Sequence, residues 1–247
     1  MGQVDHYRYC VAMTVTRLPR PYIRVTADLV ILTVRSGELH ILLIDRGNPP
    51  YLGRPALPGG FVRDGETLEG AAYRELAEET GLLACDVTLE QLRAYSEPGR
   101  DPRGRVITIA YLALGPDLPL PIAGTDAAAA RWVPVEQALA TELAFDHAEI
   151  LRDCLESARA RLEHTTAGAA FCREPFTVAD LRHVYEAVWG QRLDPSNFRR
   201  KVTNTAGFIV PTGERRFPDV GRPAALYTRG PATLLIPPLL RTATDEP

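Results

Sequence analysis

Residues 1–164 predict an α/β domain and residues 165–247 a second, smaller, mainly helical one. Three observations carry that division. Apolar, β-branched runs alternate with one strongly patterned helix over the first two thirds of the chain. Two short capped helices separated by a glycine follow, with a pair of brief strand signals behind them. The charge also changes sign: residues 1–164 hold 17 basic and 23 acidic side chains, net −6, whereas residues 165–247 hold 11 and 8, net +3. A chain of 247 residues suits one large or two ordinary domains. Its 45% hydrophobic and 24% charged content is that of a soluble globular protein rather than a disordered one. No apolar run approaches the roughly 20 residues that span a membrane, and no basic stretch feeds an apolar core near Met1. A cytoplasmic location away from membranes is therefore expected. Cys10, Cys85, Cys154 and Cys172 form no C-x-x-C pair, which suits reduced thiols better than bridges or zinc.

The first domain opens after a loosely patterned lead-in, residues 1–20. Val25–Val34 and Glu38–Asp45 are apolar runs joined by Arg35-Ser36-Gly37, a β-hairpin pattern. Arg46–Leu57, with Pro49, Pro50, Gly53 and Pro55, reads as a turn-rich loop. A helix follows over about Leu68–Thr80, then strands near Val87–Tyr95 and Arg105–Leu114, separated by the polar loop Glu97–Gly104. Another strand near Ala130–Pro134 leads into a helix at Val135. From His147 to Leu162, Ile150, Leu151, Cys154, Leu155 and Ala158 recur at helical spacing. Thr165–Ala170 is small and polar, a flexible linker by composition.

The chemistry concentrates between Gly60 and Leu82. Glu75 and Glu79 are spaced i,i+4 and Glu75 and Glu78 i,i+3, which brings three carboxylates together on one helix face. Such like charges repel unless a cation sits among them, and an all-oxygen carboxylate set suits Mg²⁺ or Mn²⁺. The alternative is a solvated acidic face. Glu66 and Arg74 stand at set distances around the cluster, and Arg74 can grip a carboxylate bidentately. Gly59 and Gly60 allow close backbone approach, and Gly81 reads as the helix stop. The stretch resembles the Nudix box, G-x5-E-x7-R-E-U-x-E-E-x-G-U with U aliphatic, and every fixed position is filled. The resemblance implies an α/β/α sandwich. It also implies a divalent metal on Glu75, Glu78 and Glu79, braced by Arg74 and Glu66, and hydrolysis of nucleoside diphosphate derivatives. The general base is open among the glutamates, Glu97 and Asp126. Pro55 stands where many relatives carry tryptophan. Arg131-Trp132-Val133-Pro134 and Phe145-Asp146-His147 resemble the branch that handles ADP-ribose. Trp132 reads either as a base platform or as core, and His147 either as helix-start packing or as a catalytic group.

In the second domain Thr177 caps a helix whose apolar face is Leu181, Val184, Tyr185 and Val188, and Gly190 stops it. Asp194 caps a second helix with Pro195 at its first position. Ser196, Asn197, Arg199, Arg200 and Lys201 crowd this helix, leaving Phe198 and Val202 to anchor it. That is the form of a helix-turn-helix. Gly207–Val210 and Ala224–Arg229 can pair around a loop holding Arg215, Arg216, Gly221 and Arg222, which makes a wing. Basic tips meet phosphates, while Asn and Arg read base edges. The alternative is a helical cap with a solvated basic face. Asn197-Phe198-Arg199-Arg200-Lys201, followed by Gly221-Arg222-Pro223-Ala224 and Leu226-Tyr227, resembles the winged helix of Nudix-related transcriptional regulators of NAD metabolism. That resemblance implies a homodimer that binds double-stranded operator DNA as a repressor and senses ADP-ribose or a related nucleotide. The alternative function is a Mg-dependent Nudix hydrolase whose appendage dimerises or binds another partner. The apolar tail Leu234–Leu240 reads either as dimer interface or as packing on its own domain.

Overall fold

In the computed structural model, residues 22–83, 87–121, 127–217 and 222–241 are described. The lead-in 1–20, Cys10, Cys85, Asp126 and Gly221 lie outside them.

Strands β1 (Arg24–Arg35) and β2 (Glu38–Arg46) form the expected hairpin. Ser36 and Gly37 turn it with φ of 51° and 83°. Positive φ at both central residues matches a two-residue turn to the twist of its strands. Two very short strands, β3 (Pro55–Ala56) and β4 (Gly59–Phe61), follow and open the centre of the sheet. β1 pairs with β2 only from Leu32 onward; nearer its start, Thr26–Asp28 pair with β4 instead. β2 in turn pairs with β3 at Ile44 and Asp45. The two long strands therefore fork, and the loop leading to the acidic helix is wedged into the fork.

Helix α1 (Leu68–Thr80) follows, then β5 (Leu89–Tyr95), β6 (Val106–Pro116), β7 (Ala127–Pro134) and α2 (Val135–Leu139). β6 runs parallel to β1 along its length, β5 lies antiparallel on β6, and β7 lies antiparallel on β2. α1 covers one sheet face through Ala72 and Leu76 against Leu29, Ile31 and Leu42. Helix α3 (His147–His164) covers the other through Ile150, Leu151, Cys154, Leu155 and Ala158. This is an α/β/α sandwich. Cys154 and Cys172 are free and buried, and burial pushes each thiol up to about 12. Trp132 is half-buried, packs against the α1-side core and donates its Nε1–H to the Pro119 carbonyl at 2.9 Å.

The presumption of a flexible linker at Thr165–Ala170 is corrected. A 3-10 helix spans Thr166–Phe171, with Gly168, Ala169 and Phe171 buried. A Cβ at Gly168 would stand 2.4 Å from Cε2 of Tyr185, so small residues here are a packing requirement. Beyond it lie α4 (Val178–Trp189), α5 (Pro195–Asn204) and a two-stranded wing, β8 (Ile209–Arg216) with β9 (Ala224–Arg229). Thr177 and Asp180 close a reciprocal capping box on α4. Tyr185 lies edge-on to Trp189 at 4.9 Å and to Phe198 at 5.2 Å. These rings join the α3-side core of the sheet in one continuous apolar cluster. The tail packs on its own chain: Leu235 and Leu239 are buried and donate backbone N–H groups to the His164 and Glu163 carbonyls. Among the described residues no helix is long and apolar enough to cross a membrane.

Candidate functional site

α1 is fixed at both ends. Thr67 Oγ1 accepts the Gly70 N–H, and Gly81, at φ 72°, donates to the Ala77 carbonyl. The register of the glutamates on its last two turns is thereby set. Arg74 is their organiser. Its Nε and Nη2 take both oxygens of Glu66 at 2.7 and 3.0 Å, Nη2 also meets the Phe61 carbonyl, and Nη1 bridges Glu75 and Glu78. The bidentate grip pulls the Glu66 carboxyl down to about 2. Glu75 behaves differently: burial pushes its carboxyl above the ordinary range, against the pull of Arg74. A buried carboxylate in that condition gains from a further cation. Glu79 is buried too, and its Oε2 accepts the Gly59 N–H at 2.8 Å. Glu78 is the exposed member and also meets Arg63.

The two glycines are there for space. A Cβ on Gly60 would lie 2.2 Å from Glu75 Oε1, and one on Gly59 would lie 2.3 Å from the Ala27 carbonyl oxygen. Backbone thus runs directly against the carboxylates. The donor set fits a hard divalent ion in chemistry: hard oxygen ligands, two of them buried, crowded on one helix. They are not gathered into a closed cage, however. Among the described residues no group of three His, Cys, Asp or Glu side chains is arranged to hold a metal ion. Glu75 and Glu78 face Arg74 instead.

The fork of the sheet brings to this acidic face Phe145, Asp146 and His147 together with four residues that the sequence did not single out, Asp28, Arg46, Arg100 and Arg103. Asp28, on β1, is buried and faces Arg100 at 3.6 Å and His147 at 3.7 Å. Arg100, itself almost fully buried, takes Asp146 bidentately at 2.7 and 2.6 Å. Arg46 lies over the Phe145 ring at 4.7 Å, and Arg103 lies between Phe145 and Phe61 at 5.3 and 4.8 Å. Phe145 holds φ 54°, uncommon for a bulky residue and a mark of local strain. Burial, then repulsion from Arg103, lowers the Arg46 pKa, while Asp101, then Glu79 and Asp28, oppose that shift. Arg103 is itself held by the buried Asp101, with Nη2 at 2.6 Å from Oδ2, so the two guanidiniums share a partly buried space in which one carboxylate is already seated. A signal existed for Asp28, since an acid inside an otherwise apolar strand run is rarely buried unless paired. None existed for Arg46 or Arg103. Glu97 is exposed at the start of its loop.

On the smaller domain, Asp194 Oδ1 accepts the Asn197 N–H at 2.7 Å and starts α5 behind Pro195. Phe198 and Val202 are buried, whereas Ser196, Asn197, Arg199, Arg200 and Lys201 are all exposed. Arg200 donates to Asn197 Oδ1 at 3.2 Å. Arg199 and Arg215 line one groove with Arg182, Pro195 and Tyr227. The expected wing loop is shorter than its sequence suggests, because β8 runs on to Arg216 and takes Arg215 and Arg216 into the strand. Arg216 is tied to Asp180 Oδ2 at 2.8 Å and to the Pro175 carbonyl, so it braces the domain. Arg222 is exposed beside β9.

Comparison with known proteins covers both halves. Residues 23–154 match the NUDIX domain family, and residues 168–228 match the NrtR DNA-binding winged helix domain. The chain is 34% identical over 204 residues to an ADPR responsive transcriptional repressor of Acinetobacter baylyi, covering 82% of this chain and 80% of that one. Over 115 residues it is 47% identical to an ADP-ribose pyrophosphatase of Methanocaldococcus jannaschii, covering 46% of this chain and 64% of the relative. Among solved structures it resembles Shewanella oneidensis NrtR complexed with a 27mer DNA, with TM-score 0.73 and 33% identity, covering 84% of this chain and 94% of that one.

Proposed function

The chain belongs to the NrtR-like family, a NUDIX domain joined to an NrtR winged helix, and from that premise we propose that it is a DNA-binding transcriptional repressor of NAD and nucleotide metabolism genes. It senses ADP-ribose or a related nucleotide in the Nudix domain, which also hydrolyses it slowly. The division falls between residues 164 and 165, with the acidic front binding nucleotide and the basic back binding DNA. The observation that carries the reading is α5. Its two apolar residues are buried, and all five of its recognition candidates face outward.

Asn197, Arg199 and Arg200 read base edges, and Ser196, Lys201, Arg215 and Arg222 meet phosphates. A homodimer places two such helices on an operator with two-fold symmetry. In the Nudix domain, Arg46 supplies positive charge for a diphosphate beside the glutamates, and Arg103 does so only by sharing its guanidinium with Asp101. Glu75, Glu78 and Glu79 would hold Mg²⁺ or Mn²⁺, which when bound neutralises phosphate charge and acidifies a bound water. Arg74 keeps Glu66 in place and must share Glu75 and Glu78 with the ion. The full set of box glutamates favours a second reading, a Mg-dependent hydrolase of ADP-ribose type whose smaller domain serves dimerisation.

Fluorescence anisotropy with labelled duplexes from upstream of the gene and its neighbours tests this, at physiological salt with excess non-specific DNA. Sequence-specific binding is expected, changing about tenfold with ADP-ribose and lost in the Arg199→Ala/Arg200→Ala double variant. Weak, salt-sensitive binding to every duplex would return the hydrolase reading to first place.

A further inference from the structure

Helix α3 starts where the segment feeding the acidic site is suspended. Besides its strand pairing with β2 and β1, that segment, Pro55–Gly59, makes four further hydrogen bonds. Ala144 N–H donates to the Pro55 carbonyl, Leu29 N–H to the Pro58 carbonyl, Leu57 N–H to His147 Nδ1 at 2.9 Å, and Gly59 N–H to Glu79 Oε2 at 2.8 Å. Only two of these involve side chains, and they lie two residues apart across the bend at Pro58. One is the box glutamate and the other is His147. The imidazole is buried, and since its Nδ1 accepts from Leu57, its neutral ring carries the proton on Nε2, facing Asp28 Oδ2 at 3.7 Å. Asp28 in turn packs against Gly59, where an added Cβ would stand 2.6 Å from Asp28 Oδ1. His147 thus holds the Leu57 N–H, and Asp28 leaves no room for a side chain at Gly59.

We propose that His147 is a positioning residue for the metal-binding carboxylates: by accepting the Leu57 N–H it fixes the Gly59 N–H that orients Glu79. This rests on the reading of Glu79 as a metal ligand. His147 acts on that carboxylate through the backbone of residues 57–59. Such outer partners of metal ligands set affinity as well as rate.

The test separates an acceptor from a space-filler. His147→Asn keeps an oxygen near the Nδ1 position but shortens the side chain, whereas His147→Leu keeps apolar bulk and removes the acceptor. Mn²⁺ affinity of the full-length protein is read by electron paramagnetic resonance of free Mn²⁺, independently of turnover. Far-UV circular dichroism confirms that each variant is folded. The expected result is a loss of about tenfold or more in His147→Leu, with His147→Asn within about threefold of wild type. Equal affinities, or tighter binding by the Leu variant, would overturn the proposal and leave a packing histidine. If the Leu variant does not fold, His147→Ala takes its place, with tighter binding by Asn expected and equality overturning. A wild type that does not bind Mn²⁺, with Glu79→Gln indistinguishable from it, would remove the metal reading and this inference together.

Discussion

α1 and α5 each gather like charges on one short helix, and they handle that charge in opposite ways. On α1 the acids are turned inward: Glu75 and Glu79 are buried, and Arg74 is shared among Glu66, Glu75 and Glu78. On α5 the bases are turned outward, with Arg199, Arg200 and Lys201 exposed and only Phe198 and Val202 held in the core. The difference teaches what each helix is ready for. The acidic face is organised in advance and has only to exchange part of an internal partner for a cation. The basic face keeps its charges in water, where a polyanion can release their counterions.

That contrast can be broken most severely at Arg74. Arg74→Ala leaves Glu75 buried and unpaired beside two other carboxylates, and the expected loss is about 3–5 kcal/mol of unfolding free energy in urea titrations. A loss within experimental scatter would mean that the acidic cluster is solvated after all. Gly60→Ala is expected to cost less, about 1–3 kcal/mol, because only Glu75 must move from the new methyl group. Its Mn²⁺ affinity should fall as well, and an unchanged affinity would show that the cradle is loose. The smallest effect belongs to α5. Arg199→Ala and Arg200→Ala should each alter stability by no more than about 0.5 kcal/mol, yet weaken duplex binding in the anisotropy assay. A large stability loss there would make the basic face structural and erase the contrast.

Local chemistry made much of this legible in advance. Helix α1 falls on the residues expected, ending at the Gly81 stop signal, with Thr67 capping its start. Asp194-Pro195 and Gly190 likewise delimited α5 and α4. Strand ends moved by a few residues: β7 begins at Ala127 rather than near Ala130, and β8 extends to Arg216. In both cases the added residues, alanines in β7 and Pro211–Arg216 in β8, are mostly poor strand formers and are recruited by a neighbour. The supposed linker failed for the same kind of reason. Small residues look flexible in one dimension, but here they are what lets Thr166–Phe171 lie against Tyr185.

By itself, then, the sequence determined the pieces whose causes are close together along the chain: the spacing of Glu66, Arg74, Glu75, Glu78 and Glu79, the helix caps, and the apolar face of α3. Only the tertiary structure decided which distant groups share a space. Asp28, Arg46, Arg100, Arg103 and His147 come from four separate segments and meet because β1 and β2 fork around the loop that enters α1. The physical reason is that capping and periodicity act over a few residues. Burial of a charge, by contrast, is settled by whatever partner the folded chain brings to it.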